Sequence, residues 1–562
     1  MPPSPNEIKL IEDSPDAEEP KEWIHVFIFM SLWRAVKHCL VRTLRCLVAC
    51  FEPLGHTFSR SNIVYLSWAI FVVVIFSGLI INKAVYESEA NEKDKKNHLL
   101  EIPLKTVLVV FMMLSIAGIS YCFYHRKDQL EFVKYKPFSP GSIPTHYLLV
   151  GLYVFGIGAL FIDMLELWFY IHAQIDGWHV KSVQVEILFS AVRFLFIAIQ
   201  IAFLQSFWSA TLNEKWGVKL LLFHIMATNL CVWLMYVAEE THIFTNRADS
   251  MKLIGKANDS SDPFEQKLES ISSVLNPFTL EYSLIVAGIL YGILSGMEVF
   301  TERDAEMPEV IPPGSYFSMG EQINETQTRR GCQPGMLIGI IFAIVLLVAE
   351  MSLRYEKASP AGPNYLHIIF NAWYMILYAC MAISAWRIMT NLQHCTRHDE
   401  RAARPDDILL GFSLVGALLF DVFVIIAAAS CTHQFSHIFV GLMLAVGVMQ
   451  FLVRIYQTWI LILSHKFDGH LGERAEGMKT IRQSALFLLF TNLGIWALDS
   501  FFETQNFADD SYSCGNYSFG ADWWGKLVAF TYPIVIFFRF HSAAMSFDVW
   551  AQFRFQRINM SA

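Results

Sequence analysis

His224-Ile-Met-Ala-Thr-Asn-Leu-Cys-Val-Trp-Leu-Met-Tyr-Val-Ala-Glu-Glu-Thr-His242 is the stretch on which the fold turns. It is long and apolar enough to cross a bilayer. Yet it carries Asn229 near its middle and Glu239 and Glu240 near its far end. Asn229 and Glu240 stand about three helical turns apart, on one face and about 16 Å from each other. Polar groups inside a membrane are costly, so such a stripe lines a polar interior or bonds to neighbouring helices.

The surrounding chain has the same character. Its 562 residues are 54% hydrophobic and 17% charged, with a mean hydropathy of +0.40; a water-soluble chain would carry more charge and fewer long apolar runs. Apolar windows fall at about 62–82, 104–125, 146–172, 183–208, 217–242, 274–297, 335–355, 365–388, 406–429, 437–464, 480–503 and 522–550. The expected fold is an all-α polytopic membrane protein of twelve transmembrane helices in two six-helix halves. Residues 1–61 form a cytosolic tail, 62–297 the first half, 298–334 a charged Pro/Gly-rich inter-half linker, 335–550 the second half and 551–562 a cytosolic tail.

The N-terminus is acidic and Pro-rich and lacks the parts of a signal peptide, so it is expected to stay in the cytosol, and with an even number of spans the C-terminus does too. Segments on that side carry roughly twice the Lys and Arg of the outer loops, as the positive-inside rule requires. Trp23 to Phe51, with Arg34, Lys37, Arg42 and Arg45, reads as an amphipathic helix lying on anionic lipid. Sequons at Asn258 and Asn516 fall in outer loops and are expected to be glycosylated, whereas the one at Asn324 falls in an inner segment. The ten cysteines form no framework, and only Cys431 and Cys514 are placed for a bridge. The net charge of −9 comes largely from the acidic tail and the inter-half segment, and is read as solubility, not partner choice; no nucleic-acid partner is expected.

Several intramembrane groups stand out. Asp163 and Glu166 lie one turn apart in the third span, and Arg193 lies at matching depth in the fourth, so a buried ion pair across a helical hairpin is expected. A station in a proton relay is the sharper alternative. The outer loop Ile243–Ser273 reads as polar and mobile. Beyond it, Glu281 and Tyr282 enter the sixth span at a depth like that of Glu240, and the two carboxylates are expected to share an outer vestibule. His541 in the last span shares a face with Asp548, two turns on. His433 and His437, beside Cys431, have spacing that could hold Zn²⁺, the alternative being an ordinary surface loop.

The second half repeats the first. Gln200, Thr228-Asn-Leu-x-x-Trp233, Glu240 and Pro277 have counterparts in Gln457, Thr491-Asn-Leu-x-x-Trp496, Glu503 and Pro533, in the same order and with the same Asn-to-Glu spacing. Six spans per half make this a parallel repeat about an axis normal to the membrane.

HIMATNLCVW at His224–Trp233, NPFTLEYSLI at Asn276–Ile285, QTWILIL at Gln457–Leu463 and PIVIFFRFHS at Pro533–Ser542 together resemble the otopetrins. The resemblance implies a proton-selective channel of the plasma membrane, opened by extracellular acid and inhibited by Zn²⁺, and a homodimer whose subunits each have two six-helix, barrel-like halves. It implies surrounding membrane lipid, with sterol a candidate at the dimer interface, and no cofactor. By position, Glu240 matches the acidic residue that follows ATNLC and His541 the histidine of the last span, while Gln200, Asn229, Glu281, Tyr282, Gln457 and Asn492 match polar positions of the halves. The chain departs from the pattern at His242, Gln205, Thr211 to Lys215 and the inter-half linker.

Protons move along side chains and water that both donate and accept, a property that Glu, His, Tyr, Asn and Gln supply. On this reading Glu240, Glu281 and Tyr282 form an outer mouth, Asn229, Gln200 and His541 continue inward, and Asn492, Gln457 and Glu503 are the equivalent set. The alternative for the amides is interhelical bonding, worth on the order of 1 kcal/mol each. A proton-coupled transporter of two six-span halves and a non-conducting scaffold share the same hydropathy, but His125–Tyr147 lacks the Gly-rich signature of the major facilitator type. No HExxH, GxSxG or Walker segment points to an enzyme.

Overall fold

Hydrocarbon leaves no water for backbone N–H and C=O groups, so each apolar run must satisfy its own backbone as a helix. The structure, a computed structural model, describes residues 63–89, 101–125, 133–134, 146–175, 183–207, 211–212, 216–253, 263–295, 333–357, 365–397, 405–431, 437–468, 475–501 and 510–554. The expected amphipathic helix at 23–51, most of the inter-half linker, Asn258, His433 and Glu503 lie outside the described residues.

The first six helices are α1 (Ile63–Glu89), α2 (Glu101–His125), α3 (His146–Ile175), α4 (Val183–Phe207), α5 (Trp216–Leu253) and α6 (Pro263–Ser295). The next are α7 (Pro334–Lys357), α8 (Tyr365–Leu392), α9 (Pro405–Ser430), α10 (His437–Ser464) and α11 (Ala475–Phe501), followed by the short α12 (Asp510–Phe519) and the long α13 (Ala521–Arg554). All except α12 are long and apolar enough to cross a membrane, which gives twelve candidate spans among the described residues. Each apolar window of the sequence corresponds to one of them, and the chain is a multi-pass membrane protein.

Within the first set, α2, α4, α3, α6 and α5 pack in that order and close a ring, with α1 lying outside against α5. Within the second set α8, α10, α9, α13 and α11 do the same, with α7 outside against α11. Each set of six helices is thus a five-helix ring with one flanking helix. The reason is visible in the flanking helices: 17% of the α1 span and 22% of the α7 span is buried, against 72% for α5 and for α6. The α7–α11 crossing is close because Gly335, Gly339 and Gly494 present bare backbone, and a Cβ at Gly335 would run into the Gln483 carbonyl.

Two-residue strands clip the connections at one end of the bundle. After α2, β1 (Val133–Lys134) pairs antiparallel with β2 (Thr211–Leu212), which follows α4. After α8, β3 (Thr396–Arg397) pairs in the same way with β4 (Phe467–Asp468), which follows α10. The opposite end carries the disulfide Cys431–Cys514, Cα atoms 5.5 Å apart, which ties the end of α9 to α12. These are the strand end and the disulfide end below.

Two features differ from the sequence reading. The polar stretch after Glu240 continues α5 to Leu253, and α6 begins at Pro263, so helix replaces most of the expected loop. No Gly or Pro interrupts residues 243–253, and Pro263 occupies the first helical position, where its fixed φ suits a helix start. The short α12 was not legible, being ten residues with little apolar content. It turns into α13 at Gly520, whose φ of 78° favours glycine, and Phe519 then stacks on Trp524 at 5.8 Å.

Replacing Cys431 and Cys514 with Ser opens a link spanning 83 residues. Chain-entropy reasoning puts its contribution at about 4 to 5 kcal/mol, so the thermal midpoint of detergent-purified protein should fall markedly. An unchanged midpoint would show that helix packing alone fixes α12.

Candidate functional site

The interior of the first ring is built from α3, α4 and α6. Tyr282 on α6 donates to Gln200 Oε1 on α4 at 2.9 Å, and its hydroxyl also lies 3.4 Å from the Ile197 carbonyl. Both side chains are fully buried. Gly156 on α3 leaves room for the phenol: a Cβ there would stand 3.1 Å from Tyr282 Cε2. The structure therefore brings Gln200 and Tyr282 together, where the sequence reading sets Tyr282 at the outer mouth and Gln200 further inward.

Glu281 is not part of that pair. Successive helical residues point about 100° apart, and Glu281 shares the face of Gly288, two turns on, whose backbone lies against Leu409 of α9. It is buried, and neither carboxylate oxygen meets a hydrogen-bond partner among the described residues. Such a group is tolerated only with water or a proton to satisfy it. Glu240 lies on α5, but its side chain is outside what the structure describes.

The amides of α5 and α11 bond locally. Asn229 Nδ2 donates to the Ile225 carbonyl at 2.8 Å, and Asn492 Nδ2 to the Leu488 carbonyl at 2.7 Å. The preceding threonines, Thr228 and Thr491, likewise bond four residues back. The TNLxxW segments thus adopt one conformation in both halves.

Toward the disulfide end of the first ring, Arg193 Nε donates to Asp163 Oδ1, and Nη2 reaches Glu166 Oε2 at 3.2 Å, with Ser190 Oγ 3.3 Å from the same oxygen. The guanidinium lies over the Tyr236 ring at 4.8 Å. The expected Asp163–Glu166–Arg193 cluster is therefore present across the α3–α4 hairpin. Lys105 and Glu186 form a second buried pair at 2.7 Å near the same end.

In the second ring the buried charges are more tightly joined, and most of this was missed in the sequence. Arg454 Nη1 contacts Asp421 Oδ1 at 3.0 Å and donates to the Ala417 carbonyl at 2.9 Å. Gln450 Nε2 donates to Asp421 at 3.0 Å, and its Oε1 accepts from Tyr378 at 3.0 Å. Arg539 Nη2 then donates to the Tyr378 oxygen at 2.8 Å, with Nη1 3.5 Å from Asn492 Oδ1. Four helices, α8, α9, α10 and α13, are linked by this chain, and α11 joins through Asn492. Matching depths could not reveal it, because Gln450 stands at the depth of Asp421 across the α9–α10 hairpin, and Arg454, which also reaches that carboxylate, stands one turn further along.

His541 sits at the strand end of the second ring. Its Nε2 lies 3.1 Å from the Asp406 carbonyl, which can only accept, so that nitrogen carries the proton. His541 is stacked on Phe537 at 5.4 Å, and nearby His465 Nδ1 lies 2.9 Å from Asp407. It is thus separate from the Gln200–Tyr282 pair. His437 is exposed at the start of α10, and Cys431 is committed to its disulfide, so its sulfur is no metal ligand. Among the described residues no group of three His, Cys, Asp or Glu side chains could hold a metal ion. Asn516 lies on α12 and is half-buried.

Removing one member of a buried ion pair costs about 3 to 5 kcal/mol, and removing both with apolar replacements costs far less. Asp421→Leu should accordingly destabilise the protein, and Asp421→Leu with Arg454→Leu should recover much of the loss, as read by the thermal midpoint in detergent. Equal loss in single and double variants would contradict a direct Asp421–Arg454 coupling.

Comparison with known proteins gives this geometry a context. The proton channel OtopLc of Drosophila melanogaster is 22% identical over 444 residues, which take in 72% of this chain and 27% of that protein. The chain thus spans about a quarter of the length of that relative. The otopetrin family profile matches residues 147–267 and 245–540, from α3 to within α13 and across both rings. With more than half its length so matched, this chain belongs to the otopetrin family.

Proposed function

We propose that this protein is a proton-selective channel that passes H⁺ down its gradient. The buried Tyr282–Gln200 hydrogen bond carries this reading: it places two groups that both donate and accept inside a closed ring of helices. Membership of the otopetrin family supports it, as does likeness to a relative described as a proton channel. Glu240 is the mouth of the path at the disulfide end, which faces outward, and extracellular acid opens it. His541 acts in gating, since it ties α13, which also packs on α5, to the first turn of α9.

The wider setting is a homodimer in the plasma membrane with both termini cytosolic, a glycan at Asn516, and Zn²⁺ inhibition at His433 and His437. The two halves are a parallel repeat, supported by the identical order of helix neighbours in the two rings and by the paired strand clips. A proton-coupled transporter is the second reading, favoured by the same two-half build.

Purified protein in liposomes, with an inward proton gradient and the membrane potential clamped, separates these. A channel gives flux with no added solute; a transporter requires one. Glu240→Gln should lower the flux by about tenfold or more. His541→Ala should shift the pH of half-maximal flux without abolishing it. Wild-type flux from Glu240→Gln at equal protein content would remove Glu240 from the path.

A further inference from the structure

The two rings share their architecture but differ chemically at one level. Phe278 packs against Gly158 of α3 in the first ring, and Ile534, one residue past the matching proline, packs against Gly416 of α9 in the second. The register so fixed sets Phe538 opposite Tyr282 and Arg539 opposite Ser283. A second contact agrees with it. The Tyr282 hydroxyl lies at the Ile197 carbonyl, three residues before Gln200, while the Phe538 ring lies 5.6 Å from Arg454, three residues before Gln457.

The consequences for a mobile proton are opposite in the two rings. In the first, a phenol and an amide meet at 2.9 Å, and both can accept one proton while donating another. The second places a phenyl ring at the phenol's position, so the buried Gln457 amide has no hydroxyl there to meet. Beside it, Ser283, which bonds its own helix at Thr279, is replaced by Arg539, whose guanidinium spans Tyr378 and Asn492. A guanidinium donates only and does not release its proton in proteins, so it ends a relay. With Arg454 it also places two fixed cations at the centre of the second ring.

We infer that protons cross the bundle through the first ring, at Gln200 and Tyr282, and that Phe538 and Arg539 close the second ring, which serves as a rigid scaffold. The inference rests on the channel reading above and narrows it to one of the two halves. Arg539 keeps its place because the network joining α8, α9, α10 and α13 depends on it.

The test is proton uptake by liposomes holding full-length protein, read by an internal pH dye under a clamped potential and normalised to protein content. Tyr282→Phe and Gln200→Leu should each lower uptake by about tenfold or more. Adding Phe538→Tyr and Arg539→Ser to the Tyr282→Phe protein should restore uptake through the second ring. Near-wild-type uptake by Tyr282→Phe or by Gln200→Leu would overturn the assignment of the path to the first ring. If the combined variant elutes as the wild type does and still conducts no better than Tyr282→Phe, closure by Phe538 and Arg539 is overturned. No uptake by the unsubstituted protein would instead overturn the channel reading, and the inference with it.

Discussion

A hydrocarbon surround gives a buried polar side chain no lipid partner to turn to, so such groups are best satisfied by one another inside the helix bundle. That requirement accounts for the ring construction. Asp421, Gln450, Tyr378, Arg539 and Asn492 come from five different helices, and each finds its partner across the same interior. Asp163, Glu166 and Arg193 solve the same problem between α3 and α4. The helices α1 and α7, largely apolar, stay outside the rings with most of their surface exposed.

One scaffold therefore serves two kinds of interior. At the first ring's Asp163–Arg193 level the second ring offers Asp421 and Gln450, and the cation has moved a turn along α10 to Arg454. Where the first ring has Tyr282 and Ser283, the second has Phe538 and Arg539. The exchange turns a relay-competent contact into a bonded plug without altering the order in which the helices pack. Between the rings, Phe155 of α3 meets Phe278, Trp496 and Phe540 in an aromatic cluster.

The spans were legible because a bilayer imposes a length and a composition that no soluble helix needs. The Asp163–Arg193 pair was legible because both residues lie at one depth in a tight hairpin. Tyr378, Gln450 and Asp421 were not, since two of them are uncharged and the partners are set by ring closure among helices far apart in sequence. The facing of Glu281 was not legible, because depth from a hydropathy window says nothing about which face of α6 meets α9. The α12 helix and the strand clips escaped notice, being too short for periodicity to show.

The central claim, that the bundle passes protons and nothing else, is tested most directly by the reversal potential of the current across a planar bilayer containing the purified protein. The account predicts that it follows the proton gradient, by about 59 mV for each unit of pH difference, and is indifferent to exchange of sodium, potassium or chloride. A reversal potential that tracked one of those ions, or current that required an added solute, would contradict it.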